Sequence, residues 1–256
     1  MRAYLAFFKK ELMDYSRSGK MLFLGILFVL FGIMNPAIAK LTPWLMELMA
    51  EELAQSGMTI AAVEPDALMS WTQFFKNIPM ALIVFVLIVS NCLTKEYTGG
   101  TLVLMLTKGL ARYKVYLAKA TAALLLWSLG YFTCFAITYG YTVYFWDHST
   151  VQNLIPAVLY WYVFGVLCIC LSLVFSTVYQ SNVAVAVTTG GAVLLSTLLG
   201  MLPKLADAVP TALLNSGTLL TGAQSPATYT PALILSASLS VVALILGIPL
   251  FNRKTI

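Results

Sequence analysis

The longest stretch of this chain without a Lys, Arg, Asp or Glu runs from Ser149 to Pro203. A bilayer's hydrocarbon core, about 30 Å thick, is crossed by roughly 20 apolar residues rising 1.5 Å each. The stretch is therefore too long for one membrane span. It divides at the polar cluster Tyr179-Gln180-Ser181-Asn182, which predicts spans at Leu154–Val178 and Val183–Leu202. Three earlier runs, Met21–Ala39, Ile78–Thr94 and Ala120–Trp146, are apolar over spanning length, and a last one, Pro231–Phe251, ends against Arg253 and Lys254. The reading is an all-α integral membrane protein with six transmembrane helices. Composition agrees: 60% of residues are hydrophobic and 10% charged, against about 25% charged in soluble domains. Soluble, disordered, collagen-like and disulfide-stapled classes are excluded.

Lys and Arg accumulate on the cytoplasmic side of membrane proteins. Arg2, Lys9, Lys10, Arg17 and Lys20 precede the first span, and Lys95, Lys108, Arg112, Lys114 and Lys119 lie between the second and third. Together with Arg253 and Lys254 they outnumber Lys40, Lys76 and Lys204, which share the other side with seven acids, Glu47, Glu51, Glu52, Glu64, Asp66, Asp147 and Asp207. Both termini are expected in the cytoplasm of a multi-pass cell-membrane protein, with Trp44, Trp71, Trp146 and Trp161 near the outer interface, where amphipathic rings are favoured. The net charge of +5 reflects this bias and not a nucleic-acid partner. Ala37-Ile38-Ala39 imitates a signal-peptidase site, but the long preceding region with Glu11 and Asp14 and the full-length apolar run point to an uncleaved span.

Outside the spans, residues 1–17 read as an interfacial helix. Tyr4, Leu5, Phe8, Leu12 and Tyr15 recur at helical spacing, while Arg2, Lys9, Lys10, Asp14 and Arg17 fall elsewhere; a basic helix with an aromatic face lies in the membrane interface. The outer segment 40–77 predicts two short helices, one opened by Thr42-Pro43 and ended by Ser56-Gly57, the other opened by Glu64-Pro65-Asp66. The segment 203–230, half apolar and rich in Gly, Pro, Ser and Thr, predicts a re-entrant or interfacial hairpin. On the cytoplasmic side, residues 95–119 hold a Gly99-Gly100 break, then Thr101 as a cap for Leu102-Val103-Leu104-Met105-Leu106, flanked by basic residues. A short apolar helix in that setting needs a partner groove.

Chemistry-bearing motifs are sparse. Cys92, Cys134, Cys168 and Cys170 read as small hydrophobes, and His148 has no second metal-ligating neighbour in sequence. Ion-coupled carriers place ionisable groups within their spans; the predicted spans contain none. The chain also lacks a phosphate-binding loop, since Gly19-Lys20 is followed by Met21 and preceded by no glycine at the required spacing. No set of groups suited to catalysis appears at membrane depth, so the chain is not read as an enzyme.

Six spans, an amphipathic N-terminal helix, and Glu96-x-x-Gly99-Gly100-Thr101 leading to Lys108, Arg112 and Lys119 resemble the permease subunit of ABC-2 type transporters. The likeness covers the layout of the whole chain, and its specific part about twenty-five residues. It departs at Gly109 and Ala111, where such permeases often carry Pro and Ser. The resemblance implies a single domain, 1–256, whose segment 95–119 contains a coupling helix docking into a separate ABC ATP-binding subunit, which would hold ATP and Mg; no cofactor is expected on this chain. Glu96, Gly99, Gly100 and Thr101 would shape the start of that helix, Leu102, Leu104 and Met105 would enter the groove, and Lys108 and Arg112 would lie at its edge. Tyr179 to Asn182, with Gln180 and Asn182, would form a shorter second contact. A second permease copy, identical or different, is implied. Polar residues within the spans, Asn35, Thr133, Thr138, Ser172, Ser176, Thr188 and Thr189, are candidates for a substrate path or for helix contacts. The uncharged interior suits a hydrophobic or amphipathic cargo. A channel or secondary carrier and a membrane sensor or immunity subunit stand as alternatives.

Overall fold

The structure, a computed structural model, describes residues 2–54, 64–98 and 111–253. Its elements are α1 (Arg2–Arg17), α2 (Lys20–Ala54), α3 (Ala67–Thr98), α4 (Arg112–Phe145), α5 (Leu154–Val178), α6 (Asn182–Gly200), two 3-10 segments (Pro210–Thr221 and Pro226–Tyr229) and α7 (Thr230–Arg253). No strand occurs among the described residues. Among the described residues, six helices are long and apolar enough to cross a membrane.

Several helices run past the ends that hydropathy assigns. α1 and α2 part at Gly19, whose φ of +73° suits the left-handed residue that ends a helix. α2 then continues through Lys40 and both prolines, where a separate helix from Thr42-Pro43 was expected; Thr42 Oγ1 bonds back to the Ile38 carbonyl at 2.7 Å. Pro36 has no N–H for the carbonyl four residues earlier. That carbonyl, of Gly32, accepts instead from Thr138 Oγ1 on α4 at 3.1 Å, the kind of replacement that makes proline tolerable in a membrane helix. Beyond it Leu41, Trp44, Leu45 and Leu48 are exposed. The other expected outer helix is the first turn of α3: the Asp66 carboxylate accepts from the Met69 N–H at 2.7 Å and caps a helix that runs unbroken into the span. Ser56 and Gly57 lie outside the described residues.

α3 and α5 form the middle of the bundle. Phe28 of α2, Phe85 of α3 and Trp127 and Tyr131 of α4 meet edge-on or tilted, with ring centroids 5.3–5.9 Å apart; such aromatic pairs are favourable beyond their buried area. Gly165 of α5 lets that helix close onto Trp127: a Cβ there would stand 2.2 Å from the indole. The segment 203–230 forms short 3-10 turns seated on the start of α5. Ser216 Oγ donates to the Ala157 carbonyl at 2.9 Å, Trp161 Nε1 to Leu214 O at 3.2 Å, and the Gln152 N–H to Leu220 O at 3.0 Å.

The bundle has two chemically distinct ends. At one, α1, the end of α3, the start of α4, the α5–α6 turn and the end of α7 converge with most of the basic residues. At the other, Ser70 Oγ meets Thr142 Oγ1 at 2.7 Å and Trp71 Nε1 donates to His148 Nε2 at 3.3 Å.

Candidate functional site at the basic end

α1 turns most of its periodic apolar face to the bundle, with Tyr15 buried and Tyr4, Phe8 and Leu12 half-buried against the core. Phe7, Glu11 and Tyr15, one helical turn apart, are its buried residues, while Leu5 is 59% exposed. An acid lies on the inward stripe because a cation waits for it. Lys119, expected in a cytoplasmic loop, lies on the third turn of α4 and is 2% exposed. Its Nζ is 2.8 Å from Glu11 Oε2 and 2.9 Å from Glu96 Oε1 on α3. Lys10 Nζ closes the cluster, 3.1 Å from Glu11 Oε1, 3.3 Å from Glu96 Oε1 and 2.6 Å from Asp14 Oδ2. Burial works against the Lys10 charge, but Asp14, Glu11 and Glu96 outweigh it and hold its pKa above the ordinary lysine value. Burial raises the Tyr15 hydroxyl well above the usual tyrosine range, with Cys92 adding to the effect; its Oη donates to Cys92 Sγ at 3.6 Å. Tyr4 Oη, farther along α1, meets Thr121 Oγ1 of α4 at 2.8 Å. The apolar runs read as spans carry no Lys, Arg, Asp or Glu, but α3 and α4 continue past those runs and bury Glu96 and Lys119 at this end.

Among the residues singled out for coupling, Glu96 is thus buried and ion-paired, with its Oε2 lacking a hydrogen-bond partner among the described residues. Arg112 ties the start of α4 to the end of α7 by donating from Nη1 to the carbonyls of Phe251 (3.4 Å) and Asn252 (3.3 Å). Asn182 opens α6, and its Oδ1 accepts from Thr94 Oγ1 of α3, so the α5–α6 turn leans on α3 two residues before Glu96. Gln180 is exposed in that turn. Gly99, Gly100, Thr101, Leu102, Leu104, Met105 and Lys108 lie outside the described residues, as do Gly109 and the other residues of 99–110. Glu96 and Arg112 therefore flank that segment.

The candidate path residues separate into distinct settings. Asn35 and Thr138 meet: Asn35 Nδ2 donates to Thr138 Oγ1 at 3.0 Å, and Asn77 Nδ2 donates to Asn35 Oδ1 at 2.8 Å. This joins α2, α3 and α4 through the fully buried Asn35 and Thr138 and the half-buried Asn77, polar groups of the sort that hold membrane helices together. Ser172 Oγ lies 3.2 Å from Thr189 Oγ1, linking α5 to α6. Ser176 and Thr188 bond back to carbonyls of their own helices, Leu173 and Ala184, and Thr133 is exposed on the outside of α4. Thr189 borders an apolar groove of about 540 Å³ between α3 (Pro79, Ile83), α5 (Trp161, Phe164) and α6 (Gly190), whereas Thr133 lines a separate surface cleft of about 420 Å³ on α4.

Sequence reasoning missed Glu11, Lys10 and Lys119 as site residues. The signal was present as two acids, Glu11 and Asp14, among the basic residues of the helix, but nothing local says which of them faces inward. Comparison with known families gives a match over residues 5–256 to the model described as ABC-2 family transporter protein. No curated protein matches the chain.

Proposed function

The chain belongs to the ABC-2 transporter family, and on that premise we propose that it is the permease of an ATP-driven exporter moving a hydrophobic or amphipathic cargo. Membership makes it a membrane subunit of an ABC transporter that associates with an ATP-binding subunit. The observation that carries the finer reading is the convergence at one end of Glu96, Arg112 and Asn182, which belong to three different helices. Force applied to segment 99–110 would enter α3 and α4 directly and α6 through the Thr94–Asn182 contact, a rigid-body transmission of the kind that switches packed helices between arrangements. ATP and Mg are held by the partner; this chain supplies the levers.

Two features support the cargo and assembly. The groove between α3, α5 and α6 has an almost wholly apolar lining, suited to a lipid-like molecule or a membrane-active peptide. Exposed leucines, isoleucines and valines on α2 and α6 suit packing against a second permease copy. Copurification tests the assignment: an ATP-binding subunit co-expressed with this chain is retained, the chain alone hydrolyses no ATP, and Leu104→Glu abolishes retention. Retention unchanged by Leu104→Glu defeats the assigned docking helix. Ala186→Trp, which fills the groove, is expected to stop efflux from vesicles while leaving subunit binding intact.

A further inference from the structure

We infer that Glu11 and Lys119 are positioning residues that fasten α1 to the facing ends of α3 and α4, so that the three helix ends move as one body. The inference rests on the transport reading above and deepens it by adding α1 to the moving parts. An interfacial helix that merely floats beside a bundle has no reason to bury a carboxylate. Here three helices each give one charged group to a shared site, Glu11 from α1, Glu96 from α3 and Lys119 from α4, and the three side chains are at most 8% exposed. The buried Lys119 ammonium serves both carboxylates, and the more exposed Lys10 of α1 adds a second contact to each. Lifting α1 from α4 strips Glu11 of its buried partner, and parting α3 from α4 strips Glu96; an uncompensated buried charge is costly. Each separation is therefore resisted by the same group. Two contacts outside the cluster make the joint stiff in more than one direction, Tyr4 with Thr121 toward α4 and Tyr15 with Cys92 toward α3. Glu96 lies two residues before the end of α3 and Lys119 seven residues into α4, so the joint is built on the two helix ends that segment 99–110 connects.

The test uses the full chain in lipid nanodiscs, alone and with its copurified ATP-binding subunit. In the chain alone, Lys119→Met is expected to speed amide exchange along α1 on the order of 100-fold, and Lys119→Arg to leave it close to wild type. Unchanged α1 exchange in Lys119→Met overturns the inference. In the complex, Glu11→Gln is expected to lower kcat for MgATP hydrolysis with KM and the amount of bound subunit unchanged; a lower yield of complex with normal kcat means a purely structural role and overturns it. Should both variants fold poorly, the wild-type cluster is tested by joining Tyr4→Cys and Thr121→Cys with a short bis-maleimide, the four native cysteines being buried. Helix ends that travel together tolerate this tether, and turnover is retained; loss of turnover on tethering overturns the inference. Absence of any ATP-binding subunit from the wild-type preparation defeats the transport reading instead, and the exchange experiment still decides whether α1 is fastened.

Discussion

α5 and α6 follow one another across a short turn, are both free of charged residues and are both long enough to span, yet they do opposite work. In its most apolar stretch, 61% of α5 is buried within the bundle, against 11% of α6. α5 brings large rings inward, with Tyr160, Trp161 and Phe164 all buried, and pairs them with Gly165, where Trp127 needs room. α6 is built of Val, Ala, Thr, Gly and Leu, and only Val185 and Thr189 are buried. In lipid there is no hydrophobic drive to hide an apolar side chain, so packing and hydrogen bonding decide which helix becomes the core. α5 has shape to fill; α6 is held by its edge contacts.

That contrast can be broken by experiment. The largest effect is expected from Leu173→Ala, which empties a fully buried site on α5; it should cost about 2–5 kcal/mol, read as a lowered detergent-unfolding midpoint. A cost below that of an exposed site would remove the distinction between the two helices. Next is Gly165→Ala, whose added methyl meets the Trp127 indole and should cost about 1–3 kcal/mol by overpacking, accompanied by a change in tryptophan fluorescence.

A smaller effect concerns how α5 is held at its start. His148, in the loop before α5, accepts from Trp71 Nε1 and packs on Trp71 and Tyr139. Desolvation lowers its pKa below the ordinary value of 6.5, with neighbouring Asp147 opposing the shift. Protonation thus favours the undocked loop. The contact is complete above pH 6.5 and weakens as pH falls through the depressed value. Trp71 fluorescence should change over that range, and His148→Gln should flatten the response. The smallest effect belongs to Leu195→Ala on α6, 59% exposed, which should shift chain stability by under about 0.5 kcal/mol. If α6 mates with a second copy, the same variant lowers the dimer fraction in single-molecule photobleaching; an unchanged fraction places that interface elsewhere.

Much of the architecture was legible in the residues. The boundaries Leu154 and Val178 of α5 coincide with a charge-free run and the polar cluster after it, because polar side chains are costly in hydrocarbon and favour the membrane edge, where the chain can turn. Where charged residues intervene, hydropathy misleads: α2 carries on past Lys40 and α4 begins before Lys119, since a helix continues as long as its own hydrogen bonds do, whether or not lipid surrounds it. Part of the candidate site was legible too. Glu96 and Arg112 flank a recognisable motif, Asn182 stands in the polar cluster between two charge-free runs, and all three have partners on other helices. The cluster that joins them to α1 was not, because Glu11 and Lys119 are 108 positions apart and an acid on an amphipathic helix looks like any solvated charge. Asn35 and Thr138 could be picked out as polar groups at depth, but their pairing with each other and with Asn77 depends on where α2, α3 and α4 cross.

From residue order alone come the number of membrane crossings and the gathering of positive charge at alternate loops. Both depend on quantities the lipid supplies, its thickness and its intolerance of unpaired charge, and these act on each segment separately. Only the folded bundle decides that α5 is core and α6 rim, and that a lysine counted as a loop cation is sealed between two carboxylates. A buried charge is stable only when its partners arrive from other helices, so its role exists nowhere in the chain until those helices have met.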